Sequence, residues 1–149
     1  MRIVPTSDQE CKELLGRVSL GRLACALDNQ PYVVPVAFSY EPGRIYVFST
    51  VGKKIEWMRQ NPKVCLQVDE IGNRSHWTSV VINGIYLELQ EPQYSAEKRR
   101  ARELLGESAQ WWIAPMAERR EQVSDLSIEP VFFRIDIESM SGLRGIPEA

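Results

Sequence analysis

Val47-Phe-Ser-Thr-Val-Gly-Lys-Lys-Ile-Glu-Trp-Met-Arg-Gln-Asn-Pro62 joins the end of a strand to a short helix. Ile45–Thr50 reads as strand, Val51-Gly52 as a tight turn, and the helix runs to Asn61. Pro62 stops it, because proline disfavours the helical conformation in the residue before it. The charges sit at the wrong end. Lys53 and Lys54 occupy the first turn, where free N–H groups and the macrodipole already present positive charge. Each cation there costs about 0.3–1 kcal/mol. An anion at the helix start would resolve the conflict, held by the Ser49 and Thr50 hydroxyls, the Gly52 backbone and two ammonium groups. On this stretch alone, two solvated lysines after a turn are the simpler reading.

Working outward, the period-two pattern dominates. Leu20–Leu27 sets Leu23, Cys25 and Leu27 against Arg22, Ala24 and Ala26, and Asp28-Asn29-Gln30-Pro31 is turn chemistry leading into Tyr32–Tyr40. Glu41-Pro42-Gly43-Arg44 suits a type II turn into Arg44–Thr50. Lys63–Glu70 alternates Val64, Leu66 and Val68 against polar neighbours. A polar loop, Ile71–His76, then leads to a long strand from Trp77 to Gln90, with a bend or bulge at Asn83-Gly84. Val131–Ile137 is the last expected strand, and the glycine-containing tail Ser139–Ala149 reads as irregular. Ser7-Asp-Gln-Glu10 is a capping box opening an N-terminal helix. Ser95 is expected to cap a charged helix over Ala96–Leu105, and Met116–Val123 is a further helical piece. Six strands joined mostly by hairpins, with helices at the ends and between strands, predict a mainly β, closed antiparallel barrel. Residues 1–149 show no repeat or linker and read as one domain.

Composition excludes several classes. Eighteen basic and twenty acidic side chains leave a near-neutral chain, which argues against a nucleic-acid binder with a broad basic surface. The basic run from Glu97 to Glu103 reads as a solvated helix face. No secretory h-region is visible, and no apolar run approaches the roughly 18–20 residues that span a bilayer. Three widely spaced cysteines, Cys11, Cys25 and Cys65, form no C-x-x-C pair and fit buried free thiols in a reducing cytoplasm, with no metal site. There is no G-x-S-x-G elbow and only one histidine, His76.

Gly21-Arg-Leu-Ala, Pro31-Tyr-Val-Val-Pro-Val-Ala-Phe-Ser-Tyr40, Gly43–Thr50, Gly52-Lys-Lys54 and Asn61-Pro-Lys-Val64 occur in that order. Together they resemble the pyridoxamine 5′-phosphate oxidase-like flavoproteins, and within them the small branch of nitroimidazole-resistance-type proteins. Trp77–Gly84, Trp111-Trp112 and Val131–Gly142 extend the resemblance over nearly the whole chain. It implies a six-stranded, Greek-key-like split β-barrel that forms a homodimer, with two FMN molecules bound between subunits. Position by position, it implies that Lys53 and Lys54 hold the FMN phosphate, aided by Ser49 and Thr50. The Val33, Val34, Pro35 and Val36 backbone would face the flavin's pyrimidine edge, and Ser79 would reach the cofactor. Phe48 and Trp77 complete the implied cofactor-binding set. Pro35 agrees with this reading, since it removes a ladder donor and leaves neighbouring backbone unpaired, although an edge strand would explain it equally.

The implied activity is FMN-dependent oxidation or reduction of a small molecule, in which the flavin carries the chemistry and no side chain is singled out as catalytic. The alternative is a non-catalytic protein that carries flavin, deazaflavin or haem, with His76 as the route to haem ligation. Trp111 and Trp112 fit packing or an interface. The tail Ser141-Gly-Leu-Arg-Gly-Ile-Pro147 lacks the arginine–histidine substrate signature of true pyridoxamine phosphate oxidases, which argues against vitamin B6 oxidation and leaves Arg144 as a candidate ligand contact.

Overall fold

The structure, a computed structural model, describes residues 1–106 and 130–148. Trp111, Trp112 and the expected helix over Met116–Val123 lie outside the described residues. The elements are β1 (Arg2–Pro5), α1 (Asp8–Arg17), β2 (Leu20–Leu27), β3 (Gln30–Glu41), β4 (Arg44–Thr50), α2 (Lys53–Gln60), β5 (Lys63–Asn73) and β6 (His76–Glu88). They continue with a helix over 95–106, here α3, and β7 (Pro130–Ile146).

All strand pairs are antiparallel, in the order β1-β7-β4-β3-β2-β5-β6, and a further β6–β7 pairing closes β2 to β7 into a six-stranded barrel. Local chemistry sets the corners. Asp28 and Asn29 both adopt positive φ, 50° and 66°, which makes the tight turn between β2 and β3. Gly43, at φ 86°, makes the next one. The Ser7–Glu10 capping box forms as the sequence predicts. The bulge at Asn83-Gly84 forms as well, as a register shift against β7. A Cβ on Gly84 would lie 2.4 Å from the Asp136 carbonyl oxygen, so only glycine allows the two strands this close.

Two expectations are corrected. The seventh strand, β1, was not predicted; it pairs with β7 from Arg2↔Ile146 to Pro5↔Leu143. The tail read as irregular is instead the second half of β7, paired with β6 to Trp77↔Gly145. Its glycines answer to crowding rather than to turns. A Cβ on Gly142 would meet Thr6 Oγ1 at 2.3 Å, and one on Gly145 would meet Trp77 Nε1 at 2.5 Å. A smaller difference concerns Ser95, which is itself helical and donates its hydroxyl to the Pro92 carbonyl at 3.0 Å.

The barrel interior holds the main core, with Leu23, Ile45, Val47, Leu66, Ile82, Phe133 and Ile135 from the strands. Leu14 and Leu15 of α1 and Ile55 and Met58 of α2 join it. A second, smaller core lies on the outside, where Ala101 and Leu105 of α3 cover Tyr46, Phe48 and Phe132 of β4 and β7. No helix among the described residues is long and apolar enough to cross a membrane.

Candidate functional site

β3 and β4 separate partway along. Their pairing runs from Glu41↔Arg44 to Phe38↔Val47 and stops there, although β4 continues to Thr50 and β3 begins at Gln30. On its other side β3 stays paired with β2, with Pro35 opposite Arg22. The barrel is therefore split at this point, and the backbone of β3 before Phe38 has no ladder partner toward β4. A cavity of about 100 Å³ lies in the split, lined by Pro35, Val36, Ala37, Phe48, Ser49, Thr50 and Lys54.

Each wall follows from its element. Val36 points into the core and Phe48 into the outer core, where its ring stacks on Phe132 with centroids 5.8 Å apart. The end of β4 thus carries Ser49 and Thr50 to the mouth of α2. Ser49 is buried, and its hydroxyl donates to the Thr50 carbonyl at 3.2 Å. Gly52, in extended backbone, occupies the N-cap position of α2 and offers no side chain to the helix N–H groups. Lys54 is half-buried beside them. Burial pushes its ammonium below the ordinary lysine value, and the nearby Cys25 thiol offsets this only in part. Uncapped N–H groups, two hydroxyls and a desolvated cation in a small cavity are the donor set a phosphate group needs.

The adjacent lysine turns away. Lys53 is exposed, and its Nζ sits 5.3 Å from the Tyr32 ring centroid and 5.2 Å from that of Trp57. Within one chain, then, Pro35, Val36, Phe48, Ser49, Thr50 and Lys54 come together, and Lys53 does not line the cavity. Val33 is exposed on the outer face of β3, and Val34 packs against the core.

Trp77 and Ser79 lie on β6, away from this cavity. Trp77, His76 and Arg144 help line a larger hollow of about 560 Å³ between α1, the β5–β6 hairpin and the end of β7. Its arginines are already engaged, Arg17 with Glu70 at 3.0 Å and Arg144 with Glu10 at 2.9 Å. The Ser79 hydroxyl accepts from the Gln67 amide at 3.0 Å, which also donates to Asp69, itself paired with Arg22. This polar chain across β2, β5 and β6, and the Ala37 wall of the cavity, were not singled out from the sequence. Ala37 could have been, since it follows Pro35 on the unpaired stretch. Among the described residues no group of three or more His, Cys, Asp or Glu side chains is placed to hold a metal ion.

The chain belongs to the pyridoxamine 5′-phosphate oxidase family, whose model matches residues 7–144. It is 38% identical over 141 residues to an uncharacterized protein of Rhizobium meliloti (strain 1021), covering 91% of each. Among solved structures it is similar to a FAD-binding protein of Mesorhizobium loti, at 40% identity and a TM-score of 0.81, over 97% of this chain and 99% of that one. A FAD-binding protein of Mycobacterium smegmatis, 20% identical with a TM-score of 0.65 over 96% and 98% of the two chains, shares the fold.

Proposed function

We propose that this chain binds a flavin nucleotide, FMN, with its phosphate in the cavity at the start of α2, and that it is a flavin-dependent oxidoreductase acting on a small molecule. The observation that carries the reading is Lys54, desolvated and without a helix cap beside it, flanked by Ser49 and Thr50. A cation held there at a cost to the free protein makes sense when an anion completes the site. The name given to the Mesorhizobium loti relative supports a flavin, and the cavity's size suits one phosphate group. FMN and FAD are separated by identifying what the protein carries.

In this reading Lys54 and the first-turn N–H groups of α2 hold the phosphate. Ser49 and Thr50 orient it, and the unpaired backbone of β3 near Pro35 offers hydrogen bonds to the ring edge. When bound, the flavin supplies the electron or hydride transfer. Lys53, on its aromatic pair, sits outside the cavity and adds charge at longer range.

A homodimer is part of the proposal. Leu20 of β2, Val33 of β3, Ile71 of β5 and Leu143 of β7 are large apolar side chains left exposed, of the kind that a second copy covers. Trp77 and Ser79, away from the cavity in one chain, would join the cofactor site only from such a second copy.

The test is the absorption spectrum of the purified protein, with identification of any released chromophore. Flavin bands and released FMN are expected. A Soret band would move the reading to haem and His76, and a colourless protein that takes up neither FMN nor FAD would overturn it. Reduction of the bound flavin by NADH or NADPH, followed by oxidation by an acceptor, separates an oxidoreductase from a carrier.

A further inference from the structure

The helix that carries Lys54 is fastened at one end only. At its start, Gly52 provides no side-chain cap and the first turn opens on the cavity. At its end, Asn61 makes three hydrogen bonds to three elements. Its backbone N–H closes α2 on the Trp57 carbonyl at 2.7 Å. Its side-chain amide donates to the Ala26 carbonyl of β2 at 2.9 Å, and its side-chain oxygen accepts from the Lys63 N–H of β5 at 3.3 Å. The Ala26 carbonyl faces the β5 side of β2, beyond the end of the β2–β5 ladder at Ala24↔Cys65, so Asn61 supplies the donor that the ladder no longer does. The next residue continues the clamp, with the Pro62 carbonyl accepting from Tyr86 of β6 at 2.8 Å. Arg59 adds a two-pronged contact to Glu88 of β6, at 2.8 and 3.1 Å, but from an exposed position.

We infer that Asn61 is a positioning residue for the anion pocket: by fixing the C-terminal end of α2 to β2 and β5, it sets where the uncapped first turn and Lys54 stand relative to Ser49 and Thr50. A rigid helix transmits this. Asn61 lies seven residues from Lys54, about 10 Å along the axis at 1.5 Å per residue, and Ile55 and Met58 between them are fully buried. Loss of the clamp lets α2 tilt on that apolar contact, so the pocket end moves while the rest of the barrel stays in place. The inference rests on the proposal that the pocket takes a flavin's phosphate.

The experiment compares the affinities of FMN and of riboflavin, which lacks the phosphate, for the full-length wild type and for Asn61→Ala. The expected result is that the preference for FMN over riboflavin falls about tenfold, a coupling of the size found between groups linked by a backbone shift, while riboflavin affinity stays within about twofold. Equal loss for both ligands would mean general loosening and would overturn the positioning role, as would an unchanged preference. If truncation costs the fold, Asn61→Leu is read in the same way, since it keeps the side-chain volume and removes both side-chain hydrogen bonds without adding charge. A wild type that binds no flavin at all would overturn the functional reading itself, an outcome distinct from either variant result.

Discussion

Lys53 and Lys54 are adjacent in sequence, yet the structure gives them different work. With 3.6 residues per turn, neighbours on a helix point about 100° apart, so two consecutive lysines cannot both line one small cavity. Lys53 lies one turn before Trp57 and stacks on it, whereas Lys54 lies one turn before the buried Met58 and faces inward. Two consequences can be measured. Burial holds the folded-state pKa of Lys54 below its unfolded value, so the unfolded chain binds this proton more tightly. The ligand-free protein therefore gains stability as pH rises from the depressed pKa toward 10.5, and affinity for a flavin phosphate falls over the same range. Lys54→Met removes the misfit, and thermal melting of the ligand-free variant at neutral pH should show a gain of about 0.3–1 kcal/mol, the cost of a cation at a helix N-terminus. The lysine pair at the helix start was legible in the sequence, where a bound anion and two solvated side chains were both readings of it. The division of labour was also encoded, in the i, i+4 relation to Trp57 and Met58, but shows only when the helix face is drawn.

At the scale of elements, one carboxylate joins α3 to β4 and β7 beside their apolar contact. Glu97 accepts from Arg44 at 2.8 Å, from Arg134 at 2.7 and 2.8 Å, and from the Tyr46 hydroxyl at 3.1 Å. Burial alone would raise its pKa, but the hydrogen bonds and charge of Arg134, with Tyr46 and Arg44, outweigh that and hold it below the ordinary 4.5. Its contribution is thus present above pH 4.5 and lost as pH falls through the lower folded value. Glu97→Gln should cost about 1.5–3 kcal/mol, as expected for hydrogen bonds to a charged group, measured by chemical denaturation at pH 7. Gly84→Ala should destabilise by about 1–3 kcal/mol in the same assay, since its Cβ would run into the Asp136 backbone. β2, β5 and the first half of β7 were readable by alternation, and β3, β4 and β6 by the turns around them. β5 nonetheless runs on to Asn73 and β6 starts at His76, where a polar loop over Ile71–His76 was expected. The second half of β7 was not, because Ser139, Ser141, Gly142 and Gly145 carry the signals of a turn, while their small size serves close contact with Thr6 and Trp77. β1 was too short for its pattern to register, and only its pairing with β7 makes it a strand.

For the molecule as a whole, the closed barrel followed from hairpin order, but the split did not. Pro35 hinted at unpaired backbone, and the end of the β3–β4 ladder at Phe38↔Val47 supplies the reason a cavity forms there. Trp77 and Ser79, which the resemblance puts in the site, stand apart from the cavity in a single chain, so their part in it rests on the proposed partner. If the proposed dimer forms through the surface where Val33 is exposed, Val33→Glu, which places a charge on it, should shift the protein from dimer to monomer in light scattering and release the flavin. A variant that stays dimeric and fully loaded would place the interface elsewhere. The central claim, that the start of α2 holds a flavin's phosphate through Lys54, is tested most directly by FMN affinity in Lys54→Met and Lys53→Met compared with wild type. The account predicts a loss of about tenfold or more for Lys54→Met, in line with a charge-assisted contact of roughly 1.5–3 kcal/mol, and a much smaller loss for Lys53→Met. Unchanged affinity in Lys54→Met, or an equal loss in both, would contradict it.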